Sequence, residues 1–109
     1  MMNMKKIVSA LIESAKTIGL NDVDINNSTE LLDNREYGLA FDTVITQLYE
    51  YEIEIDGEFY EFVVELADKM KISKDKYSFM NELVREGNVI PKPVKDKLAR
   101  ILTTLESND

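Results

Sequence analysis

From Glu50 to Glu58 every second residue is a carboxylic acid: Glu50, Glu52, Glu54, Asp56 and Glu58, with Glu61 close behind. Acids at this density could hold a hard cation, work as an acid–base pair, or meet a basic partner. An EF-hand calcium loop needs a glycine at its sixth position and a bidentate carboxylate at its twelfth. Glu52-x-Glu54-x-Asp56-Gly57 opens such a loop, but its twelfth residue is Val63. A loop begun at Asp22, with Asp24 and Asn26, reaches Asp33 at the twelfth position. It has Asn27 where the glycine belongs and Thr29 at the apolar eighth position. No metal site is expected. Acid–base work needs two carboxylates set apart by spacing or environment, and no spacing singles out a pair. The chain has no histidine and no cysteine. Ser–His and Cys–His nucleophiles, thiolate chemistry and cysteine-ligated metals are therefore excluded. There is no glycine-rich phosphate loop and no GxSxG turn among the four glycines. Neither catalysis nor a cofactor is expected, which leaves the basic partner.

The distribution of charge supports that reading. The 33 residues between Arg35 and Lys69 contain no lysine or arginine and ten acids: Glu36, Asp42, Glu50, Glu52, Glu54, Asp56, Glu58, Glu61, Glu65 and Asp68. The other 11 acids face all 13 bases, so the net charge of −8 comes from this segment. It also holds Tyr37, Phe41, Tyr49, Tyr51, Phe59, Tyr60 and Phe62. For any one of these residues the plain reading is the wet or the dry side of a core helix. As a block they fit an interface better, because an unrelieved field of one sign costs self-repulsion. Tyrosine, with an apolar ring and a polar tip, suits protein contacts. The expected partner-binding residues are Tyr49, Glu50, Tyr51, Glu52, Glu54, Asp56, Glu58, Tyr60 and Glu61. Nucleic acid is not an expected partner, since phosphate binding is driven by Lys and Arg. The basic runs Lys69–Lys71–Lys74–Lys76 and Lys92–Lys95–Lys97–Arg100 read as solvated helix faces.

Helices must position these residues. Ile7, Leu11, Ile12, Ala15 and Ile18 recur at spacings of three and four, and Gly19 suits a left-handed C-terminal cap. Asn21 can cap a second helix carrying Val23, Ile25, Leu31 and Leu32, although Asn26 to Thr29 is polar. Asn34 can cap a third, with Tyr37, Ala40, Phe41, Val44, Ile45 and Leu48 inward and an end near Tyr51. Asp56 can cap a fourth, with Phe59, Phe62, Val63, Leu66, Ala67 and Met70 inward. Ser73 can cap a short fifth with Tyr77, Met80, Leu83 and Val84, closed by Gly87. Pro91 and Pro93 open the last, where proline is tolerated. Its inner face is Val94, Leu98, Ile101, Leu102 and Leu105. The expected core includes Phe41, Ile45, Leu48, Phe62, Leu66 and Leu98.

One segment competes. Tyr49 to Ile55 alternates strictly and Asp56-Gly57 follows, which is a hairpin signal. The three-four rhythm of Phe59, Phe62, Leu66 and Met70 outlasts any strand, and no other segment offers a sheet. The helical reading is the stronger one, with Glu52 to Ile55 an extended link. The expected architecture is an all-α, compact single-domain bundle of about six short helices spanning residues 1–109. No stretch of about 18 uncharged apolar residues exists to span a membrane. No signal-peptide-like run follows Lys5 and Lys6, so a cytoplasmic location and no membrane partner are expected.

Asp33-Asn34-Arg35-Glu36-Tyr37-Gly38-Leu39-Ala40-Phe41-Asp42, followed by Gln47-Leu48-Tyr49-Glu50-Tyr51-Glu52-Ile53, resembles the MafI family of bacterial immunity proteins. The similarity runs from about Ile7 to about Leu83. It implies a small helical protein that blocks the toxin domain of a cognate secreted protein of a polymorphic-toxin or contact-dependent inhibition system, often a ribonuclease. It transfers no binding site, because such families vary most where they face the toxin. Gly38 within this helix is expected to let another helix pack closely.

Charge and resemblance together give the expected function. The protein binds and neutralises a basic toxin domain, a nuclease, by covering its substrate cleft with an acidic, tyrosine-rich surface. Binding beside the active site is the mechanistic variant. The alternative function is an acidic regulator that mimics nucleic acid toward a DNA-binding protein. A small enzyme and a subunit of a larger complex are the further competitors.

Overall fold

A computed structural model describes residues 4–86 and 92–107. Five α-helices run in chain order: α1 Met4–Thr17, α2 Asp22–Asp33, α3 Tyr37–Glu50, α4 Gly57–Lys69 and α5 Lys92–Ser107. Between α4 and α5 lie two 3₁₀ segments, Lys74–Lys76 and Ser78–Leu83. The described residues form an all-α bundle with no named strand. α1, α2 and α3 pack on one another, α5 packs on α1, and the second 3₁₀ segment packs on α3.

The core is built from the apolar stripes of these helices. Ile7, Leu11 and Ala15 of α1 meet Phe41, Val44, Ile45 and Leu48 of α3 and Phe59, Phe62, Val63 and Leu66 of α4, all buried. Tyr77, Met80 and Leu83 close the cluster from the 3₁₀ region. The expected core residues Phe41, Ile45, Leu48, Phe62 and Leu66 are all buried. The side chain of Leu98, like Gly87 and Pro91, lies outside what is described. Val23 departs from expectation: at 68% exposure it faces outward from α2.

The helix ends explain how the chain turns. Asn21 caps α2, accepting a hydrogen bond from the Asp24 N–H at 2.9 Å while its amide donates to the Asp24 carboxylate at 2.7 Å. Gln47 of α3 donates to the other Asp24 oxygen at 3.0 Å, so this buried carboxylate also ties α2 to α3. In the polar middle of α2, the Ser28 and Thr29 hydroxyls are satisfied by donating back to the carbonyls of Asp24 and Ile25. Asn34, expected to start α3, instead ends α2. The cap position of α3 is Glu36, which makes no side-chain capping bond.

Four helices close with the same pair of backbone bonds. In α1, Gly19 N–H reaches Lys16 and Leu20 N–H reaches Ala15, with Gly19 at φ 113°. Arg35, Glu52 and Lys71 play the glycine's part after α2, α3 and α4, at φ 62°, 50° and 59°. This is a Schellman ending, in which a left-handed residue lets two orphan carbonyls be satisfied.

The region expected as Ser73's helix is two 3₁₀ pieces rather than one α-helix. Ser73 donates to the Asp75 side chain at 2.6 Å and makes no capping bond to the backbone. Gly38 also differs from expectation. It is exposed near the start of α3, and beyond its own helix backbone and chain neighbours no heavy atom lies within 4 Å of where a Cβ would stand. No helix approaches it.

Candidate functional site

The competing segment resolves as an extended link running into a helix. α3 ends at Glu50, Glu52 reverses the chain, and Ile53 to Asp56 runs extended before α4 begins at Gly57. The strand character survives as one parallel bridge. Ile55 N–H donates to Leu83 at 3.0 Å, and Arg85 N–H donates to Ile55 at 2.8 Å. That bridge brings the segment after the second 3₁₀ piece alongside the acidic link.

A cleft of about 550 Å³ results, lined by Tyr49, Glu50, Glu52, Glu54, Glu82, Leu83 and Arg85. Four of the expected residues meet here: Tyr49, Glu50, Glu52 and Glu54. Glu82 and Arg85 join them from 33 and 31 residues away. The Tyr49 hydroxyl donates to Glu82 Oε1 at 3.1 Å, and its ring stands edge-on to Phe79 with centroids 5.0 Å apart. The Glu82 carboxylate that accepts this bond pushes the phenol above its ordinary pKa, and Glu50 and Glu52 add to the effect. Arg85 Nε lies 3.0 Å from Glu54 Oε2, and its guanidinium also donates to the carbonyls of Glu82 and Val84. Among the described residues no three carboxylates converge closely enough to hold a metal ion. The cleft is a wide mouth lined by four glutamates, with the Arg85 guanidinium at one side.

The remaining expected residues go elsewhere. Tyr51 caps the end of α3 with its side chain 58% exposed, the most open tyrosine of the set. Tyr60 is half-buried on α4 against Tyr77, with centroids 6.4 Å apart. Glu58 and Glu61 are exposed on a different face of α4 and line a groove toward α5.

Asp56 is a correction. It is buried, its carboxylate caps α4 by accepting from the Phe59 N–H at 2.9 Å, and Lys95 Nζ lies 2.8 Å from its other oxygen. It holds α4 and α5 together and is not open to a partner. Burial alone would push this carboxyl up. The Lys95 ammonium and the Phe59 N–H outweigh burial and hold it below the ordinary value. The same contact raises Lys95. Lys95 is therefore not the solvated cation its run suggested, whereas Lys97 stays exposed, as expected, at 3.7 Å from exposed Glu13.

Sequence reasoning missed Glu82, Arg85 and Lys95 as members of this region. Glu82 and Arg85 lie beyond the cation-free segment, and long-range contacts join them to it: the Ile55–Val84 bridge, the Tyr49–Glu82 hydrogen bond and the Arg85–Glu54 ion pair. Comparison with protein-family models, with curated proteins and with solved structures finds no match. No described helix is long and apolar enough to cross a membrane.

Proposed function

We propose that this chain is an immunity-type protein that binds a basic toxin domain, a nuclease, and catalyses nothing itself. The observation that carries the reading is the cleft at the end of α3. Four carboxylates, Glu50, Glu52, Glu54 and Glu82, line one mouth beside a tyrosine ring. Two of them sit where local physics disfavours them. The C-terminal end of a helix is the negative end of its dipole and favours cations, by roughly 0.3–1 kcal/mol per charge. Glu50 is in the last turn of α3, and Glu52 stands just past it in left-handed backbone. Helix formation gives no reason for acids here, whereas a cationic partner does.

A nuclease must bind polyanions and so presents lysines and arginines around its substrate cleft. Arg85 is an internal example of the group the mouth accepts. Carboxylates standing where phosphates would go occlude the substrate, and Tyr51 at the rim supplies an exposed aromatic anchor. The resemblance to the MafI family points to the same class of partner.

The test identifies the gene immediately upstream, where the reading expects a toxin domain, and co-expresses that domain with this chain. The reading expects restored growth and a co-purifying complex. Continued growth arrest with no complex, although the chain is expressed and folded, would refute it.

A further inference from the structure

The four glutamates of the cleft at the end of α3 are not equivalent. Glu54 is paired with Arg85, whose guanidinium is also fixed by the carbonyls of Glu82 at 2.8 Å and Val84 at 3.1 Å. A partner's cation would have to displace that guanidinium to use Glu54. Glu50 and Glu52 act on the Tyr49 phenol through charge alone. Glu82 is held differently. Its carboxylate accepts from the Tyr49 hydroxyl at 3.1 Å, a neutral donor that restrains the group without cancelling its charge. The 3₁₀ geometry of Ser78–Leu83 contributes to this arrangement. Residues three apart eclipse in such a helix, so Phe79 and Glu82 share one side. Tyr49 lies against both, with its ring edge-on to Phe79 and its hydroxyl on Glu82.

We infer that Glu82 is the carboxylate on which a cationic side chain of a basic partner protein anchors, and that Tyr49 acts through it as a positioning residue. The inference rests on the reading of this cleft as the surface that meets a basic partner, and deepens it by giving the glutamates unequal roles. An exposed glutamate gives up rotamer freedom when it pairs, which offsets much of the attraction. In Glu82 part of that ordering is already complete, so more of the attraction is realised as affinity. A carboxylate has about four lone-pair sites, so the Tyr49 bond leaves room for the incoming group. Long-range steering, by contrast, depends on summed charge and draws on all four glutamates.

The test titrates the whole chain, labelled with nitrogen-15, with a tetra-arginine peptide at about 0.15 M salt, where the Debye length of about 8 Å damps the long-range field. Amide shifts are expected at Tyr49, Glu82 and Leu83. Glu82→Gln should weaken binding about fivefold, near the upper end for an exposed ion pair. Tyr49→Phe removes a hydroxyl and no charge, yet should weaken binding about threefold, and by less than about twofold once Glu82 is already glutamine. Glu54→Gln removes the same charge as Glu82→Gln but should change binding by less than about twofold. These groups lie at the surface, so thermal unfolding should barely move and a loss of binding is not a loss of fold. Equal effects of Glu54→Gln and Glu82→Gln, wild-type affinity in Tyr49→Phe, shifts centred elsewhere, or no binding by the wild-type chain would each overturn the inference. The expected ranking with tetra-arginine but no complex with the upstream domain would refute the toxin reading alone. A toxin complex indifferent to Glu82→Gln would refute this inference alone.

Discussion

Glu52 carries two local penalties at once. Its φ of 50° is a conformation that costs a side-chain-bearing residue roughly 1–2 kcal/mol. Its carboxylate also stands at the negative end of α3. Glycine would remove both. Gly19 shows the same turn made with the residue that suits it. Glu52→Gly should therefore stabilise the fold by roughly 0.5–1 kcal/mol in urea unfolding, the gain being trimmed by glycine's greater freedom in the unfolded chain. The same change should weaken partner binding. Arg35→Gly, at an equivalent turn outside the cleft, should stabilise without altering binding. If Glu52→Gly destabilises, its turn is not strained in the way described.

Asp56 works in the opposite sense, as a residue the fold requires. Its pKa is lowered in the folded state, so its contribution is present above the ordinary value of 3.8 and is lost as pH falls through the folded value. Lys95 is raised, so its share is present below 10.5 and lost as pH rises through its folded value. Asp56→Asn keeps an acceptor for the Phe59 N–H but loses the ion pair. Its stability deficit should narrow as pH drops below about 3.8. Asp56→Ala also loses the cap and should cost about 1 kcal/mol more at neutral pH. Thermal unfolding across pH checks both.

Among the elements, α4 supplies a large part of the core through Phe59, Phe62, Val63, Leu66 and Ala67. Leu66 is fully buried on its inner face. Leu66→Ala should destabilise by about 2–5 kcal/mol through lost burial and the cavity left behind. A loss under about 0.5 kcal/mol would place Leu66 outside the core. The inner faces of α1, α3 and α4 are legible in the sequence because their apolar residues keep a helical period. Asn21, Asp56 and Gly19 are legible because their side chains, or the lack of one, match the cap they make. Three other turns are not, since Arg35, Glu52 and Lys71 adopt left-handed backbone without glycine to signal it. Asn34 misled for a related reason: it sits where a cap is needed, but at the end of α2. The 3₁₀ segments kept their apolar positions buried, so spacing alone did not separate them from an α-helix. The acidic half of the cleft is readable from local density. Its other half, Glu82 and Arg85, depends on a long-range bridge that no local pattern encodes.

At the scale of the whole molecule, folding alters the field that the sequence suggests. The cation-free segment acquires Arg85 beside Glu54 and Lys95 beside Asp56. At the cleft, Glu50, Glu52 and Glu82 stay exposed beside Tyr49, with Tyr51 nearby, while Glu36, Asp42, Glu58, Glu61 and Asp68 are exposed elsewhere along the segment. A basic partner approaching this mouth is steered at long range, and added salt screens that steering over a Debye length of about 8–10 Å. Exposed charges contribute little to stability, so reversing them should leave the fold intact.

The decisive measurement is the association rate with the cognate toxin domain at low and at physiological salt, for the wild-type chain and for the double variant Glu52→Lys/Glu54→Lys. The account predicts that the wild-type rate falls as salt rises. It also predicts that the folded variant associates about tenfold or more slowly at low salt, with a flatter salt dependence. Wild-type association by the double variant at low salt would contradict it and move the toxin-binding surface away from the end of α3.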